Sequence, residues 1–298
     1  MKALQFHTYG GPEVLRVDEA PEPHAGPGQV RIRVRAASVN RIDGKIRAGS
    51  ISRGLPLSGV YLGFDAAGVV DEVGDGVTGV GVGNDVFGLG RATHAELAVL
   101  TAWAAKPASV DWSVAAAAGV ATETAIRGLD LLGVGAGSTV FVDGGAGGVG
   151  AVAVQVAVSR GVTVVASAGE DNQGYLTEIG AIGVRYGDGL VDRVRAAAPG
   201  GLDAVFDVVG KTPPSVLASL VAEPSQVVTI ANFDAGDSGI RLTTGGAGDP
   251  AVAMAEAARL LASNALVIKV QTFPLERAAE AFRISESGHV RGKLVLLP

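Results

Sequence analysis

The sequence predicts an α/β protein in which an all-β first part precedes a doubly wound parallel sheet, and three observations carry that prediction. The first is a glycine turn, Gly145-Ala146-Gly147-Gly148-Val149-Gly150, set between the apolar run Val140-Phe141-Val142 and the helical stretch from Ala151 to Ala157. The second is a series of short apolar segments, 140–142, 162–165, 183–186, 204–208, 227–230 and 266–270, separated by helical stretches. Strands alternating with helices imply parallel pairing, because each crossover lays a helix on the sheet. The third is the alternation of Val30, Ile32 and Val34 with Arg31, Arg33 and Arg35, the period of a strand with one wet face.

The elements follow in order. Residues up to about Pro107 read as all-β, with a turn-rich loop at 21–28. From Trp112 the texture becomes alanine-rich helix and then alternating strands and helices. Asn172 is placed to cap a helix that closes at Gly180, and Asp249 with Pro250 offers a cap and a first-turn proline for a helix over 252–261. Leu275, Ala278, Ala279 and Phe282 share one face of a last helix that stops near Gly288, and 293–297 forms a closing strand that can rejoin the first domain. The domains are therefore set at 1–112, to which 269–298 returns, and 113–268.

Composition narrows the function. A chain of 298 residues, 48% hydrophobic and 18% charged, supports a sizeable core. A net charge of −6 without a Lys/Arg cluster argues against nucleic acid, whose affinity depends on neutralising phosphates. With no cysteine there is no disulfide, thiolate nucleophile or Cys-bound zinc. No signal-like start and no apolar stretch of bilayer length is present, so a cytoplasmic protein with no membrane partner is expected. The histidines His7, His24, His94 and His289 are scattered without metal-ligand spacing and are expected at the surface.

The glycine turn is the strongest chemical signal. Its first glycine turns the chain, the second admits backbone amides to a diphosphate and the third lets helix and strand pack closely. With 44 glycines, a chance match is expected, and one exists at Gly74-Asp75-Gly76-Val77-Thr78-Gly79; it leads into Val80-Gly81-Val82-Gly83, which cannot be a helix. About twenty residues after the true turn, where an NAD site places a carboxylate, the chain has Ser167, which favours NADPH and leaves NADH possible. Gly210-Lys211-Thr212 resembles the end of a P-loop, but Val205 stands where that motif needs glycine, and no G-x-S-x-G elbow occurs.

Six segments together resemble the zinc-free medium-chain dehydrogenase/reductases of the quinone oxidoreductase (zeta-crystallin-like) group. They are Gly10-Gly11-Pro12-Glu13-Val14-Leu15, Val39-Asn40-Arg41-Ile42-Asp43, Leu62 to Val70, Ala146 to Gly150, Phe206-Asp207-Val208-Val209-Gly210 and Ser287 to Lys293, in family order over the whole length. The resemblance implies a GroES-like β-barrel substrate domain and a Rossmann domain. It implies NADPH-dependent hydride transfer to a quinone or an activated alkene such as an enone, and a homodimer with 265–270 as an apolar edge candidate. It places Ala146, Gly147, Gly148 and Val149 at the diphosphate, Thr124 near the nicotinamide, Ser167 and Tyr186 at the 2′-phosphate, Lys293 at the cofactor or substrate edge, and Asn40 and Asp43 in the active site as catalytic candidates. Zinc-dependent relatives have a cysteine at Asn40 and a His-Glu pair at Phe64-Asp65, so no metal is expected.

Plain structural roles compete at several of these positions. Thr124 has a helix-hydroxyl alternative, Asn40-x-x-Asp43 a turn and Lys293 a solvated surface. Glu170 and Asp171 lie where similar proteins have a lysine. A carboxylate about 4 Å from a phosphate costs up to about 4 kcal/mol per charge pair at an effective dielectric near 20, so these must point away or the NADPH preference is weak. Arg185 is a candidate compensating charge, with a solvated arginine as the plainer reading. Asp143 is likewise unfavourable beside a diphosphate unless it bonds within the turn. An enoyl-thioester reductase and a non-catalytic, crystallin-like NADPH-binding protein are the alternative functions.

Overall fold

The computed structural model describes residues 1–51, 57, 59–233, 235–245, 247–288 and 290–298. Strand β1 (Lys2–Phe6), β2 (Arg16–Glu19) and β3 (Val30–Val39) lead into a short helix α1 (Arg41–Arg47), followed by β4 (Val60–Tyr61), β5 (Asp65–Val73), β6 (Asp85–Arg91) and β7 (Leu97–Ala105). Helix α2 (Trp112–Leu132) precedes β8 (Thr139–Asp143), α3 (Gly148–Ser159), β9 (Thr163–Ala168), α4 (Gln173–Glu178), β10 (Ile182–Arg185) and α5 (Leu190–Ala197). Then come β11 (Ala204–Asp207), α6 (Pro214–Ala218), β12 (Val227–Thr229), β13 (Arg241–Leu242), α7 (Pro250–Ala262), β14 (Val270–Pro274), α8 (Ala278–Ser287) and β15 (Lys293–Leu297).

Two compact units result. The first comprises Met1–Val120, Pro250–Asn264 and Ile268–Pro298, and the second Ala121–Asp249 with Ala265–Val267. The first unit holds a six-stranded sheet in the order β14-β15-β3-β5-β6-β7, in which β3 also pairs with β7, so that β3, β5, β6 and β7 form a closed ring. Val30, Ile32 and Val34 fill that ring with Val70, Val86 and Leu100, while Arg33 and Arg35 face outward as the alternation requires. Strand β15 pairs antiparallel with β3, and the closing segment does rejoin the first unit.

The first part is not purely β. Asn40 N–H donates to Asp43 Oδ2 at 2.8 Å, which satisfies the entry to α1 and turns the chain into helix. Helix α7, which the sequence reading kept in the second domain, groups with the first unit and packs on β7 and β6.

The second unit is a six-stranded parallel sheet in the order β10-β9-β8-β11-β12-β13. Numbered along this unit that is 3-2-1-4-5-6, the doubly wound order with its switch point between β8 and β11. One expected strand is replaced. Segment 266–270 does not extend this sheet; its place is taken by β13, and Val270 instead opens β14 in the first unit. The cause is Gln155, whose Oε1 accepts Val267 N–H at 2.8 Å and whose Nε2 donates to Val267 O at 3.0 Å. A side-chain amide thus supplies, at Val267, the pairing that a neighbouring strand would supply. Among the described residues, no helix is long and apolar enough to cross a membrane.

Candidate active site

The glycine turn joins β8 to α3 at the carboxyl end of the sheet, beside the switch point. Gly144 has φ +95°, and its N–H donates to Ser167 Oγ at 2.9 Å while Gly145 N–H donates to Ser167 O at 2.9 Å. One residue at the end of β9 therefore holds both amides that start the turn. A methyl group on Gly145 would lie 2.6 Å from Ala166 Cβ, and one on Gly150 would lie 2.8 Å from the carbonyl carbon of Gly144 and nearer still to its oxygen. The first and third glycines are thus fixed by strand and helix packing. At Gly147 a methyl would meet nothing nearer than Gly144 O at 3.6 Å. That opening fits the approach of a ligand to the backbone.

Gly147 is also the N-cap of α3, with no side-chain cap, and the first turn of this 12-residue helix carries no acidic residue. The amides following Gly147 are left for an outside acceptor, in the partial positive field of the helix end. Ala146, Gly147, Gly148 and Val149 are thus brought together as an anion cradle that fits a dinucleotide's diphosphate.

Asp143 does not face this cradle. It is buried, Oδ1 accepting from Ser167 Oγ at 2.5 Å and Oδ2 from Thr212 Oγ1 at 2.6 Å. Its partners are hydroxyls rather than the turn amides, so it braces Ser167 against Gly144 and ties the loop after β11 to the turn. Burial pushes its carboxyl above the usual range, against the two hydrogen bonds. Asp207 lies opposite it in register on β11, its Oδ1 accepting Val209 and Gly210 N–H and its Oδ2 Thr229 Oγ1. The roles of Thr212, Asp207 and Thr229 escaped the sequence reading. The available signal was the repeat of three apolar residues closed by aspartate, Val140-Phe141-Val142-Asp143 and Ala204-Val205-Phe206-Asp207.

Ser167 itself requires a correction. It is 1% exposed, and its hydroxyl already accepts from Gly144 and donates to Asp143, so it shapes the turn instead of presenting itself to a phosphate. Tyr186, one residue beyond β10, is 59% exposed, with its hydroxyl over Gly169. Thr124 is not bonded to the preceding helical turn; its Oγ1 lies 3.3 Å from Glu123 Oε2 and 3.5 Å from Arg127 Nη2. Arg127 is buried, paired with Glu123 at 2.7 Å and donating to Thr243 Oγ1 at 2.7 Å, a cluster that composition alone does not reveal.

In the first unit, Asn40, Asp43 and Lys293 come together with Asp65 and His94. Lys293 is buried and donates to Asn40 Oδ1 at 2.5 Å; Asn40 Nδ2 donates to Asp65 Oδ1 at 2.8 Å. Asp65 Oδ2 accepts Val120 N–H at 2.8 Å, an approach that only Gly119 permits, since a methyl there would lie 2.6 Å from Asp65 Cβ. Burial lowers the Lys293 pKa against the pull of Asp65 and Asp43, and raises both carboxyls. The Lys293 side chain is thus internal and held by Asn40 rather than solvated.

Asp43 is fully buried, Oδ2 on Asn40 N–H and Oδ1 on Gly63 N–H at 2.9 Å. Both oxygens serve the backbone, so its role as a catalytic candidate gives way to a scaffold. His94, expected at the surface, is buried instead: one ring nitrogen lies 3.0 Å from Ser38 O and the ring packs edge-on against Phe282. His7 and His24 are exposed, and His289 lies outside the described residues. Among the described residues no group of three or more His, Cys, Asp or Glu could hold a metal ion.

Comparison with known proteins agrees with this architecture. Residues 26–165 match the alcohol dehydrogenase GroES-like domain model and residues 183–296 the zinc-binding dehydrogenase model. The chain is 30% identical to the NADPH-dependent alkenal/one oxidoreductase, chloroplastic, of Arabidopsis thaliana, over 100% of this chain and 80% of that protein. It is 32% identical to human quinone oxidoreductase over 77% of this chain and 73% of that one. The solved quinone oxidoreductase from Coxiella burnetii superposes with a TM-score of 0.88 at 30% identity, covering 100% of this chain and 99% of that one. A GroES-like ring, a sheet in 3-2-1-4-5-6 order and these matches place the chain in the zinc-free quinone oxidoreductase group of the medium-chain dehydrogenase/reductase family.

Proposed function

We propose that this protein is an NADPH-dependent oxidoreductase acting on a quinone or an activated alkene such as an enone. The observation that carries the reading is the open, uncapped helix start at Gly147, walled by glycines that have no room for a side chain on the packing side. The similarity to an NADPH-dependent alkenal/one oxidoreductase and to quinone oxidoreductases supplies the substrate classes. The nicotinamide, when bound, supplies the hydride. Ala146, Gly147, Gly148 and Val149 hold the diphosphate by backbone amides, and Thr124, fixed by Glu123 and Arg127, is assigned to the nicotinamide end. Asn40 and Lys293 are the polar pair assigned to the substrate: Lys293 Nζ fixes the amide oxygen and Asp65 fixes the amide nitrogen, so the group is pre-oriented before substrate arrives.

The test is the loss of reduced-nicotinamide absorbance with a panel of one benzoquinone, one enone and one enoyl thioester. Turnover of the quinone or enone is expected. NADPH binding without oxidation of either would favour a nucleotide-binding protein, and turnover confined to the thioester would favour the enoyl-reductase alternative.

A further inference from the structure

At the carboxyl end of the second strand of a doubly wound sheet, one side chain decides between a ribose 2′-hydroxyl and a 2′-phosphate. Here that strand is β9, and Ser167 is already committed to Gly144 and Asp143. The next residues, Ala168 and Gly169, bring no polar side chain, and the chain then reaches Glu170. Strand β10 lies beside β9 with Arg185 opposite Ala168, so a guanidinium enters the same end of the sheet. Arg185 Nη1 lies 3.0 Å from Glu170 Oε2, and these side chains are 61% and 73% exposed. Tyr186 follows over Gly169. The segment is held by Arg193, which donates to the carbonyls of Arg185 at 2.9 Å, Tyr186 at 3.3 Å and Gly187 at 3.2 Å.

We infer that Glu170 and Arg185 form an exchangeable ion pair that sets the choice between NADPH and NADH, Arg185 leaving Glu170 for the 2′-phosphate. The inference deepens the proposed NADPH dependence and rests on it. A 2′-phosphate offers up to two negative charges and three acceptor oxygens to a planar fork that Glu170 engages through a single nitrogen. The exposed ion pair is weak, so breaking it costs little. Glu170 is then the internal competitor: it lowers NADPH affinity and is placed to accept a 2′-hydroxyl when no phosphate is present.

The experiment is calorimetric titration of wild type, Arg185→Ala and Glu170→Gln with NADPH, NADH, 2′,5′-ADP and 5′-AMP at low and high salt. Arg185→Ala is expected to raise the NADPH-to-NADH ratio of dissociation constants on the order of tenfold, and the 2′,5′-ADP-to-5′-AMP ratio equally, as expected for losing a charge-assisted bond. Glu170→Gln is expected to move both ratios the opposite way, by a few-fold, and both effects should shrink at high salt. Ratios unchanged in both variants would overturn the ion-pair inference while leaving NADPH binding standing. Wild type that binds NADH but not NADPH would overturn the NADPH reading, and Glu170→Gln that still rejects NADPH would then overturn the inference as well.

Discussion

Replacing Gly150 by alanine tests the packing of the cofactor turn with a clear sign. In an unconstrained helix interior, Gly→Ala stabilises by about 0.8–1 kcal/mol, because alanine loses less backbone freedom on folding. At Gly150 the added methyl would lie 2.8 Å from the carbonyl carbon of Gly144 and 2.9 Å from Gly145 Cα. Carbon atoms are at ease about 3.5–4.0 Å apart, so the shortfall is roughly 0.7 Å at least, and the obstacle is backbone on both sides. The amino end of α3 must back away from β8 by a comparable distance. Overpacking of this kind costs about 1–3 kcal/mol, and a shift of about 1 Å in a positioning element costs on the order of 100-fold in function.

Gly150→Ala is therefore expected to lower the unfolding midpoint in urea and to weaken NADPH binding together. Two controls fix the interpretation. Gly174 lies in α4 with nothing within 4 Å of a methyl, so Gly174→Ala should be neutral or stabilising. Gly147→Ala, with only Gly144 O at 3.6 Å, should keep its stability and lose affinity, because the methyl fills the space a ligand needs. A Gly150→Ala protein with wild-type stability and wild-type affinity would refute the assignment of that glycine to helix–strand contact.

Three further outcomes follow from the buried groups. Ser167→Asp would set a second carboxylate against Asp143 in a nearly closed site; a stability loss of about 3–5 kcal/mol is expected in denaturant titration, and a stable variant that merely prefers NADH would contradict the buried placement. The Asp143 carboxyl is raised by burial in the folded state, so it favours folding below the ordinary carboxylate range, near pH 4, and this contribution is lost as pH rises through the raised native value. The stability of Asp143→Asn relative to wild type should therefore climb with pH across that window, whereas a pH-independent difference would show that Asp143 titrates normally. Lys293→Met removes the donor to Asn40 Oδ1 and the positive charge that favours ionised Asp65 and Asp43; a loss of about 1–3 kcal/mol at neutral pH is expected, narrowing in acid as those carboxyls protonate, and equal stability of the two proteins at neutral pH would show that the buried amine compensates nothing there.

What could be read from the sequence divides along a physical line. Strand period, the strand–glycine–helix junction and the alternation of apolar strands with helices are local properties, and β3, the β8–α3 turn and five strands of the parallel sheet follow from them directly. The sixth strand of the sheet is β13 rather than 266–270, because an apolar run reports burial, not pairing. Leu266 and Ile268 are buried as expected, but the backbone between them bonds to Gln155, a partner 112 residues away in the chain. His94 fails for the same reason: a polar residue looks like surface until distant chain, here Ser38 O, supplies its hydrogen bond, whereas Asp43 takes the turn role that its spacing from Asn40 offers as the alternative to catalysis.

That division also explains why the cofactor turn was easier to find than the residues around it. Gly150 is demanded by the backbone of Gly144 and Gly145 a few residues away, Gly145 by the Ala166 methyl on the neighbouring strand and Gly147 by the space left open to a ligand, and because only glycine answers all three a spacing pattern displays them. Side-chain function is a matter of which hydroxyl or carboxylate remains free after the scaffold has taken its share. Ser167 holds the expected position and the expected atom, yet Gly144 and Asp143 leave it no open hydrogen bond for a phosphate. Under the NADPH reading proposed above, the charge for that phosphate comes from the adjacent strand: Arg185, which the sequence offers as compensation for Glu170 or as a solvated arginine, is the group that β-sheet register carries to that end of the sheet.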